Sequence, residues 1–91
     1  MLYALVYPDS YIRRARKFLR KHPKIHNQYR KTLQLLELDP FHPSLRLNGL
    51  KGRLKGLSSV SINMSYRIVL ELEIQDEEIM LINIGNHDQN Y

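Results

Sequence analysis

The sequence contains no cysteine among its 91 residues. It therefore forms no disulfide bond and no cysteine-based zinc site, and this composition fits the cytoplasm, where we expect the protein. No apolar run approaches the ~18 residues of a transmembrane helix, so we expect no membrane partner. The first residues lack the leading positive charges of a signal peptide. Hydrophobic residues make up 43% and charged residues 25%, which predicts one folded domain over residues 1–91.

Acidic residues are scarce through most of the chain. Residues 1–70 contain all 14 Lys and Arg but only three acids, so they have a formal charge of +11. Residues 71–91 contain six acids and no Lys or Arg, which brings the net charge to +5. Nine of the cations lie between Arg13 and Lys31 with no acid among them. This asymmetry favours a polyanionic partner, with nucleic acid first and an acidic protein second, although a solvated helix face is the simpler explanation.

Apolar periodicity predicts the element order β-α-α-β-β-β. Pro8 ends the first strand, Asp9 or Ser10 is the predicted helix cap, and the His22–Pro23 pair separates the two helices. A further short strand is a candidate at residues 45–47. The strands are expected near 2–7, 57–63, 66–74 and 78–84, and the helices near 10–21 and 24–38. This order predicts an α+β fold, a small antiparallel β-sheet with an N-terminal α-hairpin packed on one face.

Alternation along the strands predicts which side chains face the helices. The predicted inward set of the third predicted strand is Tyr66, Ile68, Leu70 and Leu72, against helix residues Ile12, Phe18, Leu19, Ile25, Leu33 and Leu36. Arg67 then lies on the opposite face, with Glu71 and Glu73. In the preceding strand Ser59, Ser61 and Asn63 are predicted to point away from Val60 and Ile62. An antiparallel pairing of the last two strands places the start of one beside the end of the other, close to His87.

A cationic segment precedes these strands. Lys51, Arg53 and Lys55 occupy alternate positions between glycines. In an extended backbone they would point the same way about 7 Å apart, similar to successive phosphates. A hairpin with a cationic edge, which discourages aggregation, explains the pattern equally well.

The last residues include a histidine directly after the final predicted strand. A histidine can serve as a general acid or base near neutral pH, which makes His87 a candidate, but a lone surface histidine is the commoner explanation. The sequence has no serine–histidine–aspartate constellation and no His-Glu-x-x-His spacing. We therefore expect no metal and no cofactor.

Three segments together resemble one known family. They are Leu50–Leu57, Val60–Val69 with its Tyr66-Arg67-Ile68-Val69 sequence, and Ile84–His87 followed by Tyr91. The combination resembles the RelE/ParE toxin superfamily of bacterial type II toxin–antitoxin systems, most closely its RelE/YafQ-type branch. The resemblance spans the whole chain and implies the RelE-like arrangement of the predicted elements.

The resemblance implies a toxin that inhibits translation as a ribosome-dependent mRNA interferase. Such an endoribonuclease is metal-independent, and the ribose 2′-hydroxyl attacks the adjacent phosphate. Arg67 would stabilise the phosphorane, His87 would be the general acid and Tyr91 would hold the substrate. The implied partners are a cognate antitoxin, with which a hetero-oligomer is expected, and mRNA on the ribosome with its ribosomal RNA. The expected RNA-binding residues are Lys51, Arg53, Lys55, Asn48, Ser61 and Asn63.

The sequence departs from this branch at the positions of the general base. Relatives often carry histidines where Asn48 and Ser61 stand, and an aspartate near Ser65. The alternative is therefore a non-catalytic protein of the same fold. It would be either a ParE-like gyrase inhibitor or a degenerate toxin that only binds antitoxin or RNA.

Overall fold

The alternating segments form strands of one sheet and the periodic segments form helices. The structure, a computed structural model, describes residues 2–86. The strands are β1 (Ala4–Val6), β2 (Asn48–Gly49), β3 (Ser58–Ser61), β4 (Tyr66–Glu73) and β5 (Glu78–Asn86), and the helices are α1 (Asp9–Lys21) and α2 (His26–Leu38). Three short 3₁₀ turns lie at Pro23–Ile25, Pro43–Leu45 and Gly52–Leu54. The predicted α+β class and the order of its principal elements are confirmed.

The sheet has the strand order β1-β5-β4-β3-β2 and is mostly antiparallel. The pairing of β1 with β5 is parallel, so the prediction of a wholly antiparallel sheet was wrong at this edge. Two neighbouring strands can run parallel when a long crossover joins them, and here the helices and the other strands provide it. The predicted strand at residues 45–47 is also wrong. Leu45 is buried in the core and Arg46 is left-handed (φ 51°), so extended pairing begins only at Asn48.

The core lies between the helices and one face of the sheet. Its buried cluster consists of Tyr11, Ala15, Leu36, Leu45, Val60, Ile68, Leu70, Ile79, Leu81 and Ile84. Of the predicted core residues, Leu36, Ile68 and Leu70 belong to it. Phe18, Leu33 and Leu72 pack against it while partly buried. Ile25 is buried outside the cluster, and Ile12, Leu19 and Tyr66 are half-buried.

The break between the helices is tied to the sheet by aromatic side chains. The His22 backbone leaves the helical region (φ −129°, ψ 63°), as expected before a proline. A hydrogen bond of 3.2 Å joins Tyr66 Oη to His22 Nδ1, and the Phe18 ring meets the Tyr66 ring edge-on at 5.1 Å.

The first helix begins without the predicted side-chain cap. Its N-cap is Pro8, whose carbonyl accepts the Ile12 N–H, and Asp9 instead places its carboxylate in the positive first turn.

Candidate nucleic-acid site

Arg67 lies on the face of the sheet opposite the helices. Its neighbour Ile68 is in the core, and alternation along β4 therefore turns Arg67 to the other side, as predicted. Its register partners are Ser61 on β3 and Gly85 on β5. The guanidinium Nη1 donates to Ser59 Oγ at 3.4 Å, and Ser59 is only 3% exposed. The fold thus holds this half-buried guanidinium against β3, while its β5 neighbour has no side chain.

The end of β5 lies beside the start of β4, next to Arg67. The strand continues two residues past its predicted end at residue 84, and Asn86 pairs with Tyr66. This confirms the predicted juxtaposition of the β4 start with the β5 end. His87 and Tyr91 lie outside the described residues, so their convergence with Arg67 stays a prediction.

The cationic segment is not an extended row. Leu54 N–H donates to the Lys51 carbonyl at 3.4 Å and Lys55 N–H to the Gly52 carbonyl at 3.1 Å, which closes a 3₁₀ turn. The positive φ of Gly52 (69°) makes this turn accessible at no steric cost. Because residues Gly52–Leu54 form a 3₁₀ turn, the extended arrangement in which Lys51, Arg53 and Lys55 would point one way is not formed. All three remain exposed to solvent.

The neutral polar residues divide between two locations. Asn48 is exposed on β2 opposite Ser59, and Ser61 lies opposite Arg67, so both belong to the polar face. Asn63 does not, because its Nδ2 donates to Gln28 of α2 at 3.0 Å. Its Oδ1 accepts the backbone N–H of residue 65 at 2.8 Å and that of residue 66 at 2.9 Å. The prediction that Asn63 shares a face with Ser61 was therefore wrong, because its amide shapes the β3–β4 turn.

A cation that sequence analysis did not select lies beside Ser61. Arg46 lines a pocket of about 450 Å³ together with Ser44, Ser61, Ile62, Asn63 and Met64. Arg46 lies in a loop-rich segment without periodicity, and only the pairing of β2 with β3 brings this residue near the polar face. Nothing in the spacing of the sequence indicated this proximity.

Charge is separated between two ends of the described fold. The nine cations from Arg13 to Lys31 are all exposed, and Arg14 Nη1 also donates to the Ile82 carbonyl on β5 at 3.2 Å. The Tyr3 N–H bonds the Glu37 carbonyl and the Ala4 N–H bonds the Glu77 carbonyl, each at 2.8 Å. These two bonds bring the end of α2 and the β4–β5 turn together beside the start of β1. The acidic residues of both segments therefore lie at this end of the fold. The helices therefore present a cationic surface that can bind a polyanion.

Two classes of feature are absent from residues 2–86. They hold no group of three or more His, Asp or Glu side chains placed to bind a metal ion. Over the same residues, neither helix has the length and apolarity needed to cross a membrane.

Comparison with known proteins gives matches in structure only. Neither protein-family models nor curated protein sequences match the chain. Among solved structures, YafQ from E. coli strain BL21(DE3) has a TM-score of 0.76 at 16% identity, over 93% of each chain. The YoeB/ParE toxin from Agrobacterium tumefaciens has a TM-score of 0.72 at 19% identity, over 92% of this chain and 98% of that one.

The chain has a RelE/ParE-like toxin fold. A third structure with this fold, that of the E. coli DinJ–YafQ toxin–antitoxin complex, has a TM-score of 0.74 at 18% identity. It covers 96% of this chain and 94% of that one. The resemblance drawn from the sequence is thus confirmed for the fold over nearly the whole chain.

Proposed function

We propose that this protein is the toxin of a type II toxin–antitoxin module and cleaves mRNA on the ribosome in the cytoplasm. The main support is the position of Arg67, half-buried on the polar face of a RelE/ParE-like fold, with Ser61 and Gly85 as its neighbours. A guanidinium held in this way suits a phosphate that gains charge during a reaction. The exposed cationic helices support a large polyanionic partner such as ribosomal RNA.

The proposed chemistry is an internal transphosphorylation that uses no metal. The ribose 2′-hydroxyl releases its proton to solvent water as its oxygen forms a bond to the adjacent phosphorus, and the bond from phosphorus to the 5′-oxygen breaks. The products are a 2′,3′-cyclic phosphate and a 5′-hydroxyl. Arg67 stabilises the phosphorane charge, His87 protonates the leaving 5′-oxygen and Tyr91 holds the substrate. The exposed side chains of Lys51, Arg53 and Lys55 bind the RNA backbone further along the sheet.

The proposed regulatory partner is a cognate antitoxin. The DinJ–YafQ structure is a toxin–antitoxin complex that contains a chain of the same fold. The exposed cations of α1 and α2 in this chain are complementary in charge to an acidic segment of an antitoxin. A small acidic protein should therefore co-purify with the chain from its native host. Isolation of the chain alone under native expression would contradict this proposal.

A second candidate function is supported by the side chains around Arg67. Asn48, Ser59 and Ser61 are neutral and do not titrate near neutral pH, so they supply no ordinary general base. Glu71 is on the same face, but four residues along the strand place it about 13 Å away. The second candidate is accordingly a degenerate toxin that binds antitoxin or RNA without cleaving.

The two candidates are separated by a cleavage assay on programmed ribosomes. The purified protein should cut the mRNA only when ribosomes are present and leave a 5′-hydroxyl end. A matched mRNA with a 2′-deoxynucleotide at the cleavage position should stay intact, because the nucleophile is missing. Binding without cleavage would favour the degenerate toxin, and inhibition of gyrase supercoiling without cleavage would favour the ParE-like alternative.

A further inference from the structure

The pocket next to Arg67 has no assigned role in the proposed reaction. Its volume of about 450 Å³ is in the range of small-ligand sites. It shares Ser61 with the polar face, and Ser61 is the register partner of Arg67. The Cα atoms of directly opposed residues in an antiparallel pair lie about 5 Å apart. An RNA strand bound at Arg67 therefore has this pocket immediately beside it.

The pocket exists because β2 begins only at Asn48, so no β2 residue pairs with Ser61. β2 pairs only with Ser58 and Ser59, and the left-handed backbone of Arg46 (φ 51°, ψ 49°) turns the preceding chain away from β3. The Ile62 N–H donates to the Tyr66 carbonyl at 2.9 Å, on the β4 side. Because backbone groups alternate along a strand, those of Ser61 point to the other side, where β2 has already ended. The wall of the pocket thus combines backbone polar groups with the Ser61 hydroxyl.

The chemistry of the lining matches a nucleotide. Arg46 is exposed and is the one charged residue among the six that line the pocket. Its planar guanidinium suits a phosphate. Ser44 lies near it, and His42 Nδ1 accepts the Ser44 backbone N–H at 3.2 Å and lies 2.9 Å from the Ser44 hydroxyl. That hydroxyl therefore donates to His42 and presents its lone pairs as acceptors for a ribose hydroxyl or a base amino group.

Two further features support a binding role. Met64 lines the pocket and is 89% exposed, so its polarizable thioether is available to contact the face of a base. An arginine in the left-handed region costs conformational energy that glycine would avoid, and such strain concentrates at functional sites.

We propose that this pocket binds the nucleotide next to the two that flank the scissile phosphate, with Arg46 on that nucleotide's own phosphate and Met64 against its base. The proposal rests on the proposed function, which supplies the RNA. The pocket lies where a strand beyond β3 would continue, about two strand spacings or 10 Å from the strand of Arg67. Arg46 is then a second phosphate contact and a determinant of which nucleotides are held.

The test is binding of single-stranded RNA to the full chain, measured by fluorescence anisotropy at several salt concentrations. The RNAs are a hexamer and a dinucleotide around the same step, each with a 2′-deoxy sugar that blocks cleavage. For the hexamer, Arg46→Gly should raise Kd roughly tenfold, as expected for one charge-assisted phosphate contact. It should also reduce the salt slope by about 0.7, the value for one phosphate of a single strand. Arg46→Lys should keep the slope.

The dinucleotide and a charge-matched variant are the controls of this experiment. Dinucleotide binding should be unchanged by Arg46→Gly, since the dinucleotide does not reach the pocket. Gln75→Glu makes the same change of one unit in net charge at an exposed position of the β4–β5 turn, and it should leave both Kd values within twofold. Arg46→Gly should melt no lower than the unmodified protein, because glycine adopts this backbone freely. Equal losses for both RNAs, a hexamer loss below twofold, or no hexamer binding at low salt would overturn the proposal. A length-dependent loss in a protein that never cleaves would support it and reject only the ribonuclease.

Discussion

Replacing Tyr11 by phenylalanine should change how the stability of the fold depends on pH. Tyr11 is 1% exposed in the core, and a hydrogen bond of 2.7 Å joins its hydroxyl to that of Tyr29, linking α1 to α2. Burial, and then the proximity of Tyr29, raises the pKa of Tyr11 above its ordinary value. At pH 8 the Tyr11 hydroxyl is neutral in both the folded and the unfolded protein. Tyr11→Phe should then lower the free energy of unfolding by about 1 kcal/mol, the net worth of one neutral hydrogen bond.

The stability difference between the two proteins shrinks at alkaline pH. The folded-state pKa of Tyr11 is raised, so its contribution is complete below the unfolded-state pKa of about 10 and is lost as pH rises above it. At pH 11 the unfolded chain ionises this tyrosine and the folded chain does not. The unmodified protein therefore loses about 1.4 kcal/mol that Tyr11→Phe does not lose. The stability gap between the two proteins should close by pH 11.

Urea unfolding followed by circular dichroism at pH 8 and pH 11 measures this gap. Val60→Ala is the matched control, because it destabilises the same core without removing an ionisable group. Its gap to the unmodified protein should stay constant between the two pH values. If Tyr11→Phe kept a constant gap as well, the burial of an un-ionised Tyr11 hydroxyl would be refuted.

Two further predictions concern RNA. His87→Ala should reduce ribosome-dependent cleavage by at least ~10²-fold and leave RNA binding unchanged, because it removes a general acid and not a phosphate contact. If single-turnover cleavage were unchanged, the general acid would be another group, and Tyr91 would be the first to test. Lys51→Ala should weaken binding to all RNA sequences alike and lower the salt slope by about 0.7. A loss confined to one sequence in the same titration would instead make Lys51 a base-reading residue.

Much of the fold was predictable because its signals are local. The alternation from Tyr66 to Leu72 placed Arg67 on the open face, and the His22–Pro23 pair placed the helix break. The parallel partner of β1 was not predictable from the same signals, since it depends on how the distant β5 packs beside it. Local pattern fixes which side of a strand a residue occupies but not which strand lies beside it.

The candidate site was predictable only in part for the same reason. The sequence left open whether the segment around Lys51 is an extended row or a hairpin, and the 3₁₀ turn that it forms depends on hydrogen bonds that alternation does not reveal. Asn63 alternates with Ser61 in the sequence, yet its amide bonds to Gln28 across the molecule. Arg46 and Ser61 line the same pocket only because β2 is short, so no motif could have selected Arg46.

The central claim is that the guanidinium of Arg67 stabilises a transition state of RNA cleavage. The most direct measurement is the single-turnover rate at which Arg67→Ala cuts the mRNA of a programmed ribosome, with protein in excess. Circular dichroism should first establish that the variant is folded, and Gln75→Glu, in the exposed β4–β5 turn, should serve as the control for a change of one unit in net charge. Cleavage should fall at least ~10²-fold for Arg67→Ala, by analogy with the loss of an oxyanion donor, and should change little for Gln75→Glu. Cleavage by folded Arg67→Ala at the rate of the unmodified protein would contradict it.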